Sequence, residues 1–192
     1  YAVLFPERSL VTNLVPNRDV GIQARGDLGL GVLSYIGGLF NGVPDGANGD
    51  VDTNSGKDLA GRLTLQPFKR ASIAAVRGAG VAVGGTRGQQ TGTLPSFKST
   101  AQQTFFSYAP TATANGQRSR VSPSAFYYYK SLGAFAEYAR TTQAIKGSQA
   151  AAEITNTAWE VTGSFVLTGE AANERGVIPK RPFDPAQGQW GA

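Results

Sequence analysis

The sequence predicts an all-β chain, an antiparallel transmembrane β-barrel of which about eight strands are present. Three observations lead there. Side chains alternate with a period of two, most fully in Gln117–Lys130. There Arg118, Arg120, Ser122 and Ser124 share one face, and Val121, Ala125, Tyr127 and Tyr129 share the other. The alternating segments run for roughly 8–13 residues, enough to cross a bilayer at a tilt, where soluble strands average nearer 5–6. Glycine is abundant, at 25 of 192 residues, only 16% of residues are charged, and no helical crossover separates the strands to make a parallel sheet. A soluble antiparallel sandwich would show the same alternation with its apolar face turned inward, so that alternative stays open on pattern alone.

Each element has its own justification. Residues 1–17, with Phe5-Pro6 and Val15-Pro16, are expected to form a loop. From Arg18 to Gly26, Val20, Ile22 and Ala24 alternate with Asp19, Gln23 and Arg25, and Asp27-Leu28-Gly29 turns the chain into a glycine-rich strand from Leu30 to Asn41. Gly42–Gly56 is a polar loop. Its Asp45, Asn48, Asp50, Asp52 and Asn54 glance at a calcium loop but lack the closing glutamate and flanking helices, so a solvated loop is expected and no metal is assigned. Lys57–Phe68 sets Leu59, Leu63 and Leu65 against Asp58, Arg62, Thr64 and Gln66, and Arg77–Arg87 is a strand of small residues suited to close approach. Gly88–Gln102 is expected to be a loop, Gln103–Tyr108 a short aromatic strand and Ala109–Gly116 a turn. Leu132–Thr142 pairs back on the Gln117–Lys130 strand, with its faces left open. Residues 145–157 are polar, with one helical turn possible at Ala150–Ala152. Thr157–Glu170 alternates Trp159, Val161, Phe165 and Leu167 with Glu160, Thr162 and Ser164. A Pro- and Gly-rich loop then leads to Gln189–Ala192, which resembles the start of another strand. Pro123 lacks an N–H, so it requires a bulge or an unpaired neighbour.

Composition removes several classes of function. There is no cysteine and no histidine, hence no disulfide framework, no thiolate site and no imidazole base. No nucleophile motif, phosphate loop or metal-ligand spacing occurs, and nothing in the pattern brings two of the carboxylates Asp19, Asp58, Glu137 and Glu160 together, so no enzyme activity and no cofactor are expected. The net charge of +5 is thinly spread, unlike the clustered cations of a nucleic-acid binder. The longest apolar run, near Leu30–Phe40, is too short for a membrane helix. Methionine is absent even at position 1, so residues 1–192 are read as one barrel segment, incomplete at both ends.

Several stretches resemble the phosphate-selective porins O and P of bacterial outer membranes. These are NRDVGIQARG (17–26), LSYIGGLFNGVPDG (33–46), KDLAGRLTLQPF (57–68), LPSFKSTAQQTFFSY (94–108), SRVSPSAFYYYKSLGAFAEYAR (119–140), AWEVTGSFVLTGE (158–170) and PFDP with WGA near the end. The succession of FNG, DLAGRL, QQTFF and VLTGE is the specific part. The resemblance implies a 16-stranded barrel that assembles as a homotrimer in the outer membrane, in contact with lipid and lipopolysaccharide. It further implies passive diffusion of small anions, with phosphate or polyphosphate as the specialised case.

A pore that strips water from an anion must replace it with charge and donors. The candidates for an anion pathway are Arg118 and Arg120, about 7 Å apart along one strand face, with Arg62 and Arg25 on polar faces and Lys98 in a loop that would fold into the lumen. The bland alternative is that these charges merely hydrate the lumen, with Arg62 paired to Asp58 or Glu160. Tyr127, Tyr129, Tyr138 and Trp159 are candidates for an interfacial aromatic girdle. Two rivals remain: a soluble or secreted antiparallel β-domain that binds a ligand or partner, and a general porin without anion preference.

Overall fold

Period-two segments with opposed faces build one large sheet. The computed structural model describes residues 9–45, 56–148, 150–174, 176–180 and 183–190. In chain order the strands are β1 (Gly21–Leu28), β2 (Leu33–Phe40), β3 (Asp58–Leu65), β4 (Ala79–Thr93), β5 (Phe97–Lys98), β6 (Thr104–Phe106), β7 (Thr113–Tyr129), β8 (Leu132–Lys146), β9 (Ala151–Phe165), β10 (Phe183–Asp184) and β11 (Gln189–Trp190). Seven of them form a wholly antiparallel sheet in the order β1-β2-β3-β4-β7-β8-β9. β5 and β6 make a small separate hairpin within the β4–β7 connection. The described strands show no pairing between β1 and β9, so the sheet is open at those two edges.

The large sheet therefore has seven strands, not eight, and the difference lies in the aromatic segment Gln103–Tyr108. Only Thr104–Phe106 of it is strand, and it leaves the sheet to pair with Phe97–Lys98. Four strands are longer than their composition announces, among them β7, which begins at Thr113 inside the expected turn Ala109–Gly116. β4 continues through Gly88–Thr93, expected as loop, because that stretch pairs residue by residue with Thr113–Gly116 and Gln117–Arg118 of β7. β8 runs on to Lys146 and β9 begins at Ala151, where a polar segment with a helical turn was expected; Lys146 pairs with Ala151 and Ile145 with Ala152. Small and polar residues with weak strand preference are held in these places by cross-strand pairing. Gln189–Trp190 pairs locally with Phe183–Asp184 and adds nothing to the large sheet.

Pro123 lies inside β7. Pairing with β8 runs through Val121↔Arg140 and resumes at Ser124↔Glu137 in the same register, so the ladder opens across Ser122–Pro123, where the missing N–H falls, without a register shift. The glycines of β4 allow the close approach their size implied. A Cβ on Gly80 would sit 2.3 Å from the Phe126 ring, and one on Gly88 would sit 2.0 Å from Asp58 Oδ1.

The two faces of the sheet have opposite environments. Outward on one side point Leu59, Leu63 and Leu65 of β3, Val81 and Val83 of β4, Val121 and Tyr127 of β7, and Trp159, Val161 and Phe165 of β9, all exposed. On the other side Asp58, Arg118, Arg120, Ser122, Ser124, Thr141 and Gln143 are buried. What buries them is loop. A 3-10 turn at Leu10–Leu14, expected only as loop, packs Val11 and Leu14 against Phe97 and Ala139, and Thr141 Oγ1 donates to the Leu14 carbonyl at 2.8 Å. Asn13 clamps the small hairpin, donating to Lys98 O at 2.9 Å and accepting from Lys98 N at 3.0 Å. Phe97 stacks on Phe106 at 5.5 Å, and both meet Tyr108 edge-on.

Candidate functional site

Alternation within β7 puts Arg118 and Arg120 on the covered face, and the antiparallel register brings Asp58 of β3 to them across β4 through Asp58↔Gly88↔Arg118. Asp58 Oδ2 accepts from Arg118 Nη2 at 2.9 Å and from Arg120 Nη1 at 3.1 Å. A second carboxylate arrives from the β2–β3 connection. Asp45 Oδ1 accepts from Arg120 Nε at 2.7 Å and lies 3.7 Å from Arg118 Nη1. Arg120 also donates to Thr86 Oγ1 at 3.2 Å and to the Val43 carbonyl at 2.8 Å. The connection is pinned at its root: Asp19 Oδ2 accepts from the Gly42 and Val43 amides at 2.8 and 3.2 Å, and Gln90 Nε2 donates to the Gly42 carbonyl at 2.7 Å.

The result is a buried cluster of two guanidiniums and two carboxylates. Arg118 is 3% and Arg120 5% exposed. Both cations are thus matched, and the cluster sums to zero charge. The arginine pair lies side by side as its spacing implied, but as a salt-bridged plug and not as two open cations. Burial of four charges is sustained only by such dense pairing.

The other candidates are scattered along the same face. Arg62 lines a cleft of about 260 Å³ with Ile36, Arg120, Ser122 and Glu137, and its Nη2 donates to Ser124 Oγ at 3.3 Å. Asp58 is committed to Arg118 and Arg120, so it is not the paired partner once considered for Arg62. Arg25 is exposed on β1, the edge strand, in register with Ile36 and, beyond it, Arg62. Lys98 is exposed on the β5–β6 hairpin, and no bond joins its side chain to the arginine cluster.

Two carboxylates that pattern could not bring together do meet. Glu137 of β8 and Glu160 of β9 are direct register partners on the covered face, and Glu137 accepts from the Ser122 hydroxyl. Strand-internal periodicity holds no record of which residues oppose each other across strands, which is why both this pair and the Asp58 bridge were missed. Of the calcium-like loop, Asp45 belongs to the arginines, and residues 48–54 lie outside the described residues.

The aromatic candidates all lie on the outward face. Tyr138 and Trp159 are register partners, the latter 73% exposed, and Tyr127 stands outward near the β7–β8 turn. Tyr129 is half-buried beside Lys130, whose Nζ lies 5.4 Å from its ring centre. Under the loops, Tyr108 accepts from Asn156 Nδ2 at 2.7 Å, and burial holds its phenol above the ordinary value. Comparison with family models, curated proteins and solved structures finds no match to this chain.

Proposed function

We propose that the chain forms wall of an outer-membrane β-barrel channel through which small hydrophilic solutes, anions among them, diffuse passively. One observation supports it above the rest: the large apolar side chains stand on the open face of the sheet and the buried charges Asp58, Arg118 and Arg120 on the covered face, while the exposed charges of the open face, Arg87, Arg140 and Glu153, lie at the end of their strands away from the β7–β8 turn. On β9 the outward residues stay free of charge from Trp159 to Phe165, and on β7 from Val121 to Tyr129, over eight residue steps. That is about 26 Å along a strand, somewhat less when tilted, against an apolar band of about 25 Å in barrels of this kind. A continuous apolar face across seven strands is far larger than the few-hundred-Å² patches typical of soluble monomers. Lipid is the surrounding that makes such a face favourable. In a bilayer the β1 and β9 edges need partners, so the proposed barrel includes strands beyond these seven. Membership of the phosphate-selective porin family, and assembly as a homotrimer amid lipid and lipopolysaccharide, belong to the same proposal and rest on the motifs quoted above.

The reading of a general porin without strong anion preference has its own support. The most buried cations of the polar face are neutralised by Asp45 and Asp58. A neutral cluster attracts neither sign, so of the two channel readings the weakly selective one fits better than a phosphate-specialised one.

The test is where Trp159 sits. Trp159 is expected to lose much of its emission in vesicles of brominated phospholipid and little to aqueous acrylamide. The lipid-quenched component should vanish in Trp159→Phe. Quenching by acrylamide alone would overturn the membrane reading in favour of a soluble β-domain. Reversal potentials across a salt gradient then separate the two channel readings, with a value near zero expected.

A further inference from the structure

We propose that Arg87 and Arg140 form a docking site on the open face of the sheet for a membrane lipid with a net anionic phosphate headgroup, seated at the edge of the apolar band. The inference rests on the membrane reading above, and it names the lipid chemistry that this face selects.

Register brings the two arginines together. Arg87 of β4 pairs with Ser119 of β7, and Val121, two residues further along β7, pairs with Arg140 of β8. Both arginines are exposed and share the outward face, with only β7 between them. Two strand spacings across and two residues along put their Cα atoms roughly 12 Å apart. Arginine stems lie along apolar surface while their heads stay in the polar zone, so both guanidiniums can reach one headgroup. Arg87 donates to Gln117 Oε1 at 2.9 Å, which uses one of its five donors. Among the described residues no hydrogen bond or ion pair engages the Arg140 side chain. Glu153, the exposed carboxylate on β9, stands four residues nearer the loops than Thr157, the register partner of Arg140, about 13 Å along the strand.

Depth is the second argument. Arg140 lies eight residues along β8 from Leu132, and Arg87 eight residues along β4 from Ala79. Either step is about 26 Å, against an apolar band of about 25 Å. The outward residues between them, Val81 and Val83 on β4 and Ala134, Ala136 and Tyr138 on β8, carry no charge. Two strands thus independently set a cation where hydrocarbon gives way to headgroups. Tyr138 and its register partner Trp159 supply the amphipathic rings of such a boundary. The two longest connections between strands of the large sheet, 41–57 and 94–112, leave from this same end, as the outer loops of such barrels do. Two forked guanidiniums suit a phosphate, whereas a zwitterionic headgroup brings a cation of its own to them. The apolar surface that continues from the arginines favours phosphate joined to an acyl chain over the free ion, which gains nothing from Val83 or Val121.

Trp159 reports on the site, since it lies diagonal to Arg140 at about 7–8 Å between Cα atoms. The Trp190→Phe chain, reconstituted in phosphatidylcholine vesicles, leaves Trp159 as the emitter. A minor fraction of brominated phosphatidic acid should quench it more than the same fraction of brominated phosphatidylcholine, by an amount equal to at least about threefold enrichment beside the site. Arg87→Gln combined with Arg140→Gln should make the two lipids equal. Inorganic phosphate should displace the brominated phosphatidic acid no better than chloride does at equal ionic strength. If the double variant fails to fold, as judged by circular dichroism, Arg140→Gln decides alone and should lose most of the enrichment. Equal quenching by the two lipids in the native pair, enrichment that survives the glutamine substitutions, or selective displacement by inorganic phosphate would each overturn the site and leave the channel reading standing. Quenching by neither lipid would overturn both.

Discussion

Asp58 holds two cations with one oxygen. Its Oδ2 is shared by Arg118 and Arg120, and at 2% exposure no solvent replaces it. Removing one member of a buried ion pair leaves an uncompensated charge, a loss of about 3–5 kcal/mol. Asp58→Asn is therefore expected to lower the unfolding free energy of the chain, read from urea titration in micelles, by that order, whereas Arg25→Gln, at an exposed edge, should change it by no more than about 0.5 kcal/mol. The residue scale is also where the sequence says least. The period of two places Arg118 and Arg120 together and puts Asp58 on the polar face of its strand. Which carboxylate meets which guanidinium is a property of register across three strands, and one strand's pattern is silent on it. Asp45 shows the same limit, since its partners lie 73 and 75 positions away in the chain.

Among the elements, the segment after β9 has its own anchor. Val166 N donates to Ser131 O at 2.9 Å and Ala172 N to Lys130 O at 2.7 Å, which ties this segment beneath the β7–β8 turn. The Thr168 hydroxyl, then the Lys180 amide, donate to Glu170 and hold its carboxyl below the usual carboxylate range. A carboxyl depressed on folding contributes stability above its unfolded pKa, about 4.3, and that contribution is lost as pH falls through the folded value. Protection of the Ala172 amide from hydrogen exchange should accordingly be full near neutral pH and decline below about pH 4. Glu170→Gln should remove that pH step. Strongly alternating elements such as β3 and the middle of β7 were legible within a few residues. The outer ends of β4 and β9 were not, because GQQTGT and AAEITN become strand through their partners and not through their own preferences.

At the scale of the molecule, one face of the large sheet carries exposed apolar side chains and the other buries mostly polar ones. The buried hydrophobic cluster is small, Val11, Leu14, Phe97 and Ala139 beneath the loops, while Val161 is 71% exposed on the opposite face. If that face meets lipid, Val161→Arg should cost about 2–4 kcal/mol near the bilayer midplane and lower partitioning into vesicles. In a soluble domain the same change would be neutral or improve solubility. The opposition of the faces was visible from periodicity alone. Pattern could not supply the plugging of the polar face by Asp45, or the extent of sheet closure, since both depend on segments without periodicity. The count of strands has a consequence of its own. In a row of seven antiparallel neighbours the first and last point the same way. Two copies joined around a common axis would meet in parallel seams, so a cylinder antiparallel all the way round demands an odd complement and an even total.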